Sequence, residues 1–128
     1  MARFLKPLEG PIYGGFRFVF GLLFLCHGLQ KIFGLFGGSG VEPFSLLWVA
    51  ALIEMIGGAA VAAGLFTRWA AFLCSGQMAV AYFMVHQKMG LLPIENHGEL
   101  AALYALAFLF IAAHGPGAWS LDKILNRS

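Results

Sequence analysis

Long apolar runs, separated by short stretches rich in glycine and proline, set the pattern of this chain. A membrane-spanning helix needs about 20 predominantly apolar residues, and four runs approach or exceed that length. We place the four predicted helices at about residues 12–33, 45–66, 69–89 and 98–114. Ser45 marks the predicted start of the second helix, Gly64 closes that helix just before Thr67, and Gly115 follows the predicted end of the fourth. The pattern predicts an all-α integral membrane four-helix bundle with up-down-up-down topology.

The segments between these helices are short, which favours one membrane domain spanning residues 1–128. The link between the second and third helices is tight and predicts an antiparallel hairpin. Between the third and fourth, Leu91-Leu92-Pro93 is apolar, and we expect it to dip toward the membrane. Trp119 and its neighbours begin a short amphipathic C-terminal tail, which we expect to be interfacial.

Composition agrees with a membrane protein. Of 128 residues, 60% are hydrophobic and only 11% are charged, whereas a soluble domain carries about 25% charged residues. The net charge of +2 is too small to indicate a nucleic-acid partner. No short apolar segment with a small-residue cleavage site precedes the first long run, so we expect no cleaved signal peptide.

The distribution of Lys and Arg predicts the orientation, because cytoplasmic loops carry an excess of both. With the N-terminus inside, the inner side holds Arg3, Lys6, Arg68, Lys123 and Arg127. The outer side holds Lys31 and Lys88. Both termini are therefore predicted to be cytoplasmic.

Ionisable residues inside the apolar runs are the main candidates for function. Arg17, His27 and Lys31 fall on one face of the first helix, together with Gly21 and Gly28. A charge that faces lipid costs about 2.5–3.5 kcal/mol or more, so this face should point at protein or at a polar cavity.

Glu54 is an acid inside the second apolar run, and Gly57 and Gly58 lie on nearly the same face. Small residues allow helices to approach closely in lipid, so Glu54 should point at a tight helix interface. Its predicted partner is Lys31 or Arg17. The pair either fixes packing or forms a proton or substrate site, because intramembrane ionisable residues are functional candidates by default.

Similar predicted depth groups further polar residues with Glu54 in the outer half of the bundle. The candidate ligand-binding cluster comprises Arg17, His27, Lys31, Glu54, His86, Asn96 and Glu99, of which Arg17 alone lies deeper toward the cytoplasm. No complete nucleophile or metal constellation is visible, so no catalytic residue and no metal ligand is assigned.

The polar and glycine positions run in a characteristic order along nearly the whole chain. They are Arg17, Gly21, His27-Gly28 and Lys31, then Glu54 and Gly57-Gly58, then residues 64–71, then Asn96-His97-Gly98-Glu99, and finally Ser120-Leu121-Asp122. This pattern resembles the DoxX family of small bacterial inner-membrane proteins. The family usually has Asn-Gly-Gly-Glu before the last helix, so His97 is a departure. The resemblance implies a four-helix membrane bundle and a link to redox work, since some members are small subunits of thiosulfate:quinone oxidoreductases. Others are associated with superoxide dismutase and sulfurtransferase partners.

The two cysteines and the histidines are candidate redox groups. Cys26 and Cys74 differ in predicted depth by roughly 10 Å, beyond the reach of a disulfide, which joins Cα atoms less than about 7 Å apart. His27 and His86 lie at similar depth, where two imidazoles could hold a b-type haem. Haem b is disfavoured, because cationic Lys31 shares the face of His27.

A quinone is the alternative cofactor, since Phe20 and Phe24 line the same face as His27 and could enclose a flat apolar ring. Two hypotheses follow. In the first, the chain is a membrane subunit of an oxidoreductase assembly linked to quinone. In the second, it is a non-catalytic membrane anchor or a passage for small molecules, and its buried charges serve packing. Partners are then the lipid bilayer with a protein partner or further copies of the chain, and a stand-alone enzyme is disfavoured.

Overall fold

The computed structural model describes residues 3–35, 37–38, 40–86, 90–96 and 98–126, without the side chains of residues 85, 86, 95 and 96. The chain is all-helical, with 78% helix, and the described ranges contain no strand. A 3₁₀-helix, Arg3–Leu8, leads into α1, Glu9–Phe33, and is followed by α2, Leu46–Ala63, and α3, Thr67–Ala81. A π-helical turn, Tyr82–His86, continues α3, and α4, Pro93–Asn96, α5, Glu99–His114, and α6, Leu121–Ile124, complete the chain.

Local signals explain where the helices begin and end. The Ser45 hydroxyl accepts a hydrogen bond from the backbone N–H of Trp48 at 3.2 Å, which caps α2 as predicted. Gly34 and Gly64 end α1 and α2 with φ of 67° and 72°, a left-handed conformation that glycine adopts without steric cost. The third helix differs from the prediction, because regular α-helix ends at Ala81 and gives way to the π-helical turn. A continuous apolar run does not reveal a local change from i→i+4 to i→i+5 hydrogen bonding, so the sequence did not indicate the π-helical turn.

Glycines bring α1 and α2 into close contact. A Cβ added to Gly28 would lie 2.6 Å from Met55 N, and one added to Gly58 would lie 2.6 Å from Leu25 N. Gly28 is later in α1 than Leu25, but its partner Met55 is earlier in α2 than Gly58, so the two helices are antiparallel. This confirms the tight interface that the glycines next to Glu54 predict.

Hydrogen bonds and aromatic rings join the remaining long helices. The Ser75 hydroxyl donates to Ala105 O at 2.7 Å, and Arg68 Nη1 donates to Ala113 O at 2.6 Å, so α3 and α5 are antiparallel. Phe24 of α1 packs against Tyr104 and Phe108 of α5, with ring centroids 5.3 and 4.8 Å apart. All three rings belong to the hydrophobic core.

The polarity of the molecule is reversed relative to a soluble protein. Ile56, Leu73 and Leu106 are each exposed by 60% or more, whereas Arg17 and Glu54 are exposed by 1% and 2%. Two helical stretches, Arg3–Phe33 and Leu46–Ala63, are long and apolar enough to cross a membrane, and α5 is a shorter apolar helix. Apolar side chains outside and charges inside are what a lipid environment requires.

Candidate functional site

The described ranges contain one ion pair between side chains, and it joins α1 to α2. Lys31 Nζ donates to both carboxylate oxygens of Glu54, at 2.7 Å to Oε2 and 2.9 Å to Oε1. The glycine contacts described above allow the two side chains to meet. The sequence left Lys31 and Arg17 as alternative partners, and the structure pairs Glu54 with Lys31.

The two members of the pair differ in burial. The side chain of Glu54 is only 3% exposed, whereas that of Lys31 is 32% exposed. A carboxylate this deeply buried needs a cation or several donors to remain charged, and Lys31 supplies both the charge and the hydrogen bonds. The ammonium group is the side of the pair that a ligand can reach.

The ion pair forms part of the wall of a cavity of about 330 Å³, to which α1, α2, α3 and α5 all contribute. The lining residues are Phe24, His27, Lys31, Leu47, Glu54, Met78, Ala81, Leu100, Ala101 and Tyr104. The ring of Tyr104 lies between two α1 rings, with centroids 5.3 Å from Phe24 and 5.9 Å from His27, the latter edge-on. The cavity therefore combines an aromatic wall with one cation, one anion and one imidazole.

These groups suit a flat, mostly apolar ligand that carries oxygen acceptors. An ammonium group donates up to three hydrogen bonds, of which Glu54 takes two, and the imidazole of His27 has one further donor in either tautomer. Aromatic rings provide apolar surface at the edge and face of such a ligand. The arrangement can bind and orient a ring and can exchange a proton through Glu54 or His27.

The other predicted cluster residues lie elsewhere or cannot be placed. Glu99 is exposed and lines a separate groove of about 380 Å³ with Pro93, Ile94, Leu100 and Leu103. Leu100 lines both spaces, so the groove adjoins the cavity. The side chains of His86 and Asn96, and the whole of His97, lie outside what the structure describes.

Arg17 is the clearest correction to the predicted cluster. Its guanidinium is buried at the opposite end of the molecule and contacts no carboxylate within the described ranges. It donates to the carbonyl oxygens of Val61 at 3.0 Å, Ala118 at 2.8 Å and Trp119 at 3.0 Å, and also to that of Pro116. A guanidinium has five N–H donors in a fixed fork, so backbone carbonyls alone can satisfy it. Such acceptors have no signature in the sequence.

Asp122 is the polar residue whose role the sequence did not indicate. Its carboxylate accepts hydrogen bonds from Phe66 N, Thr67 N and Thr67 Oγ1, each at 2.8 Å, and so caps the start of α3 from a position 55 residues away along the chain from Thr67. Together with Arg17, it holds the C-terminal segment against the helix ends, an arrangement that we call the C-terminal clasp. Trp119 and Ile124 remain exposed beside it, so the interfacial position of the tail stays a prediction.

Redox-active side chains show no further grouping. Cys26 and Cys74 are free thiols, and Cys74 is fully buried, with its Sγ 2.6 Å from where a Cβ on Gly57 would lie. Within the described ranges, no three His, Cys, Asp or Glu side chains come together in a way that could hold a metal ion.

Fold and site together define a class: a small, all-helical membrane protein that buries its charges and exposes its apolar side chains. The family model DoxX matches residues 15–87. This chain belongs to the DoxX family.

Three relatives cover most of the chain. An uncharacterised protein of Haemophilus influenzae is 43% identical over 84% of this chain and 85% of its own length. "Inner membrane protein YqjF" of Escherichia coli is 32% identical over 96% of this chain and 98% of its own length. "Putative oxidoreductase CatD" of Bacillus subtilis is 32% identical over 85% of this chain and 83% of its own length. No solved structure matches the chain.

Proposed function

We propose that this protein is a small integral subunit of a redox assembly in the bacterial inner membrane, and that it binds a quinone-type ring in the cavity beside Lys31 and Glu54. The observation that carries the proposal is a nearly buried ion pair in the wall of an aromatic cavity. The names of two relatives support it, since one is called "Inner membrane protein YqjF" and another "Putative oxidoreductase CatD".

The proposal includes a topology of four spans in a single domain, arranged up-down-up-down, with both termini in the cytoplasm. Supporting observations are the length and hydropathy of α1 and α2 and the antiparallel contacts of α1 with α2 and of α3 with α5. In this topology the C-terminal clasp lies at the cytoplasmic side, and the cavity lies in the outer half of the membrane.

The lining of the cavity fits the chemistry of a quinone. A bound quinone would accept two electrons and two protons. The rings of Phe24 and Tyr104 would contact its apolar ring, and Lys31 and His27 would donate hydrogen bonds to its carbonyl oxygens. As a carboxylate, Glu54 would balance the charge of Lys31, and it would take up a proton when the ligand draws Lys31 away from it.

A non-catalytic anchor or passage protein is the alternative, and one observation favours it. Both oxygens of Glu54 already accept hydrogen bonds from Lys31, so the pair is satisfied without any ligand. Under this alternative the ion pair only fixes the register of α1 against α2, and the cavity has no preferred ligand.

Measurements of bound ligand and of quinone binding distinguish the quinone-binding subunit from the non-catalytic anchor or passage protein. The protein is purified in mild detergent, and bound quinone and co-purifying proteins are identified by mass spectrometry and absorbance. Binding of a short-chain quinone is then measured in Phe24→Leu and Phe108→Leu. Both rings are fully buried, but only Phe24 lines the cavity.

We expect Phe24→Leu to weaken quinone binding about tenfold, the upper end of what an aromatic contact contributes, while Phe108→Leu leaves it nearly unchanged. Equal effects in the two variants would contradict the cavity as the binding site. Absence of bound quinone, together with no measurable binding of the short-chain form, would favour the anchor.

A further inference from the structure

A second cavity, of about 560 Å³, lies at the end of the molecule that holds the C-terminal clasp. It forms where the N-terminal 3₁₀-helix and the start of α1 face the end of α5. Its floor is aromatic: the imidazole of His114 lies 4.0 Å from the ring of Tyr13 and 5.6 Å from that of Phe110, measured between centroids. The Tyr13 hydroxyl already donates to Gly115 O at 2.6 Å, so the imidazole of His114 is the remaining polar group of the floor.

Two opposite charges stand at the rim of this cavity. Lys6 and Glu9 both line it, one at the end of the 3₁₀-helix and the other at the start of α1. Within the described ranges neither side chain takes part in an ion pair or a hydrogen bond. The rim therefore presents one cation and one anion that are both available to a ligand.

One side of the cavity is apolar and is open to the exterior of the molecule. Ile12 and Phe110 line it and are exposed by 54% and 53%, and Phe16 packs beside them. A long hydrocarbon chain can lie along these three side chains and continue into the surrounding lipid. A ligand that satisfies the whole cavity thus has a head group with both charges and an acyl tail.

We propose that this cavity binds a phospholipid whose head group carries a primary ammonium, as phosphatidylethanolamine does. The phosphate would contact Lys6, the ammonium would donate to Glu9, and one acyl chain would cover Ile12, Phe16 and Phe110. Charge complementarity selects this lipid, because a purely anionic head group would face the carboxylate of Glu9. A choline head group has the same charges but no N–H donor for Glu9.

The experiment compares three lipids with identical acyl chains and ethanolamine, choline or glycerol head groups. Each is added to the purified protein in detergent, and the retained lipid is counted by native mass spectrometry. We expect retention of the ethanolamine lipid to exceed that of the other two by about fivefold, the effect of one exposed ion pair. Glu9→Gln should abolish this preference, and Lys6→Gln should lower retention of all three lipids.

Two charge-matched variants serve as controls. Glu42 is an exposed acid outside the cavity, and Lys123 is an exposed base outside it, so Glu42→Gln and Lys123→Gln should leave retention unchanged. Equal retention of the ethanolamine and choline lipids, or a preference that survives Glu9→Gln, would overturn the proposal. Tightest retention of the glycerol lipid, or displacement of lipid by a short-chain quinone, would overturn it as well.

The outcome is independent of the proposed quinone site. Phe24→Leu alters the first cavity and none of the residues that line the second, so it should leave lipid selectivity unchanged.

Discussion

The unequal burial of Lys31 and Glu54 predicts unequal costs when either charge is removed. In Lys31→Met, the side chain of Glu54, which is 3% exposed in the native protein, loses its cation and stays buried. Stranding one member of a buried pair costs about 3–5 kcal/mol in the free energy of unfolding. In Glu54→Gln, the ammonium keeps one carbonyl acceptor and, being 32% exposed, depends less on the lost charge than a fully buried group would. We expect that change to cost only about 1–2 kcal/mol.

The double variant Lys31→Met, Glu54→Gln provides the critical comparison. Neither charge is then left unpaired, and replacing a buried ion pair with neutral groups of similar volume is often nearly neutral. The free energy of unfolding of the double variant should therefore lie within about 1 kcal/mol of that of the native protein. This loss is much smaller than the sum of the losses in the two single variants. Reversible unfolding in mixed detergent and dodecyl sulfate micelles measures all four proteins. Equal costs for the two single changes, or additive costs in the double variant, would refute this assignment of burial and pairing.

The same variants separate function from packing. If the ion pair serves only packing, the stable double variant should keep every property of the native protein. If it serves the proposed quinone site, the double variant should remain folded and lose quinone binding, because Lys31 no longer donates to the ligand. Glu54→Gln should likewise leave a folded protein that no longer supports the activity of the native assembly.

Three further changes test other parts of the structure. Gly28→Ala should lower the free energy of unfolding by about 1–3 kcal/mol, because its Cβ would press on Met55 N, whereas Gly76→Ala, with no atom within 4 Å, should be neutral or slightly stabilising in the same assay. Arg17→Lys keeps the charge but loses the fork of donors, and thermal melting in detergent should show a loss of about 2 kcal/mol or more. Topology reporters fused at the C-terminus and within residues 37–40 should report opposite sides of the membrane, and reports from the same side would contradict the four-span topology.

Much of the fold could be predicted because its signals are local. The hydroxyl of Ser45 caps the helix that follows it directly, and Gly64 ends that helix through its own backbone conformation. The Lys31–Glu54 contact follows from two helical faces that each carry one charge beside glycines. Because a charge buried within the membrane needs an opposite charge or backbone carbonyl acceptors, pairing these two charged faces is one of few arrangements available.

The parts that could not be predicted depend on contacts distant in the chain or on the backbone. Arg17 was grouped with the outer cluster because it shares a helical face with Lys31, yet a face says nothing about which end of the neighbouring helices it meets. Its acceptors are carbonyl groups, which every residue has. Asp122 caps a helix 55 residues earlier in the chain, and no local spacing indicates such a cap. Glu99 was predicted to belong to the same cluster as Glu54, whereas the structure places it in the groove that adjoins the cavity.

The contrast between Arg17 and the Lys31–Glu54 pair is itself an argument about function. A charge that serves only structure can be satisfied completely by its surroundings, and Arg17 is, with carbonyl partners on several sides and 1% exposure. Lys31 is instead left one-third exposed in the wall of a cavity, although the same chain can bury a cation fully. Burying the ammonium as well would add the cost of removing it from water, so packing alone permits this difference without requiring it. The proposed ligand does require it, because hydrogen bonds from the ammonium group to that ligand need Lys31 to be exposed in the cavity.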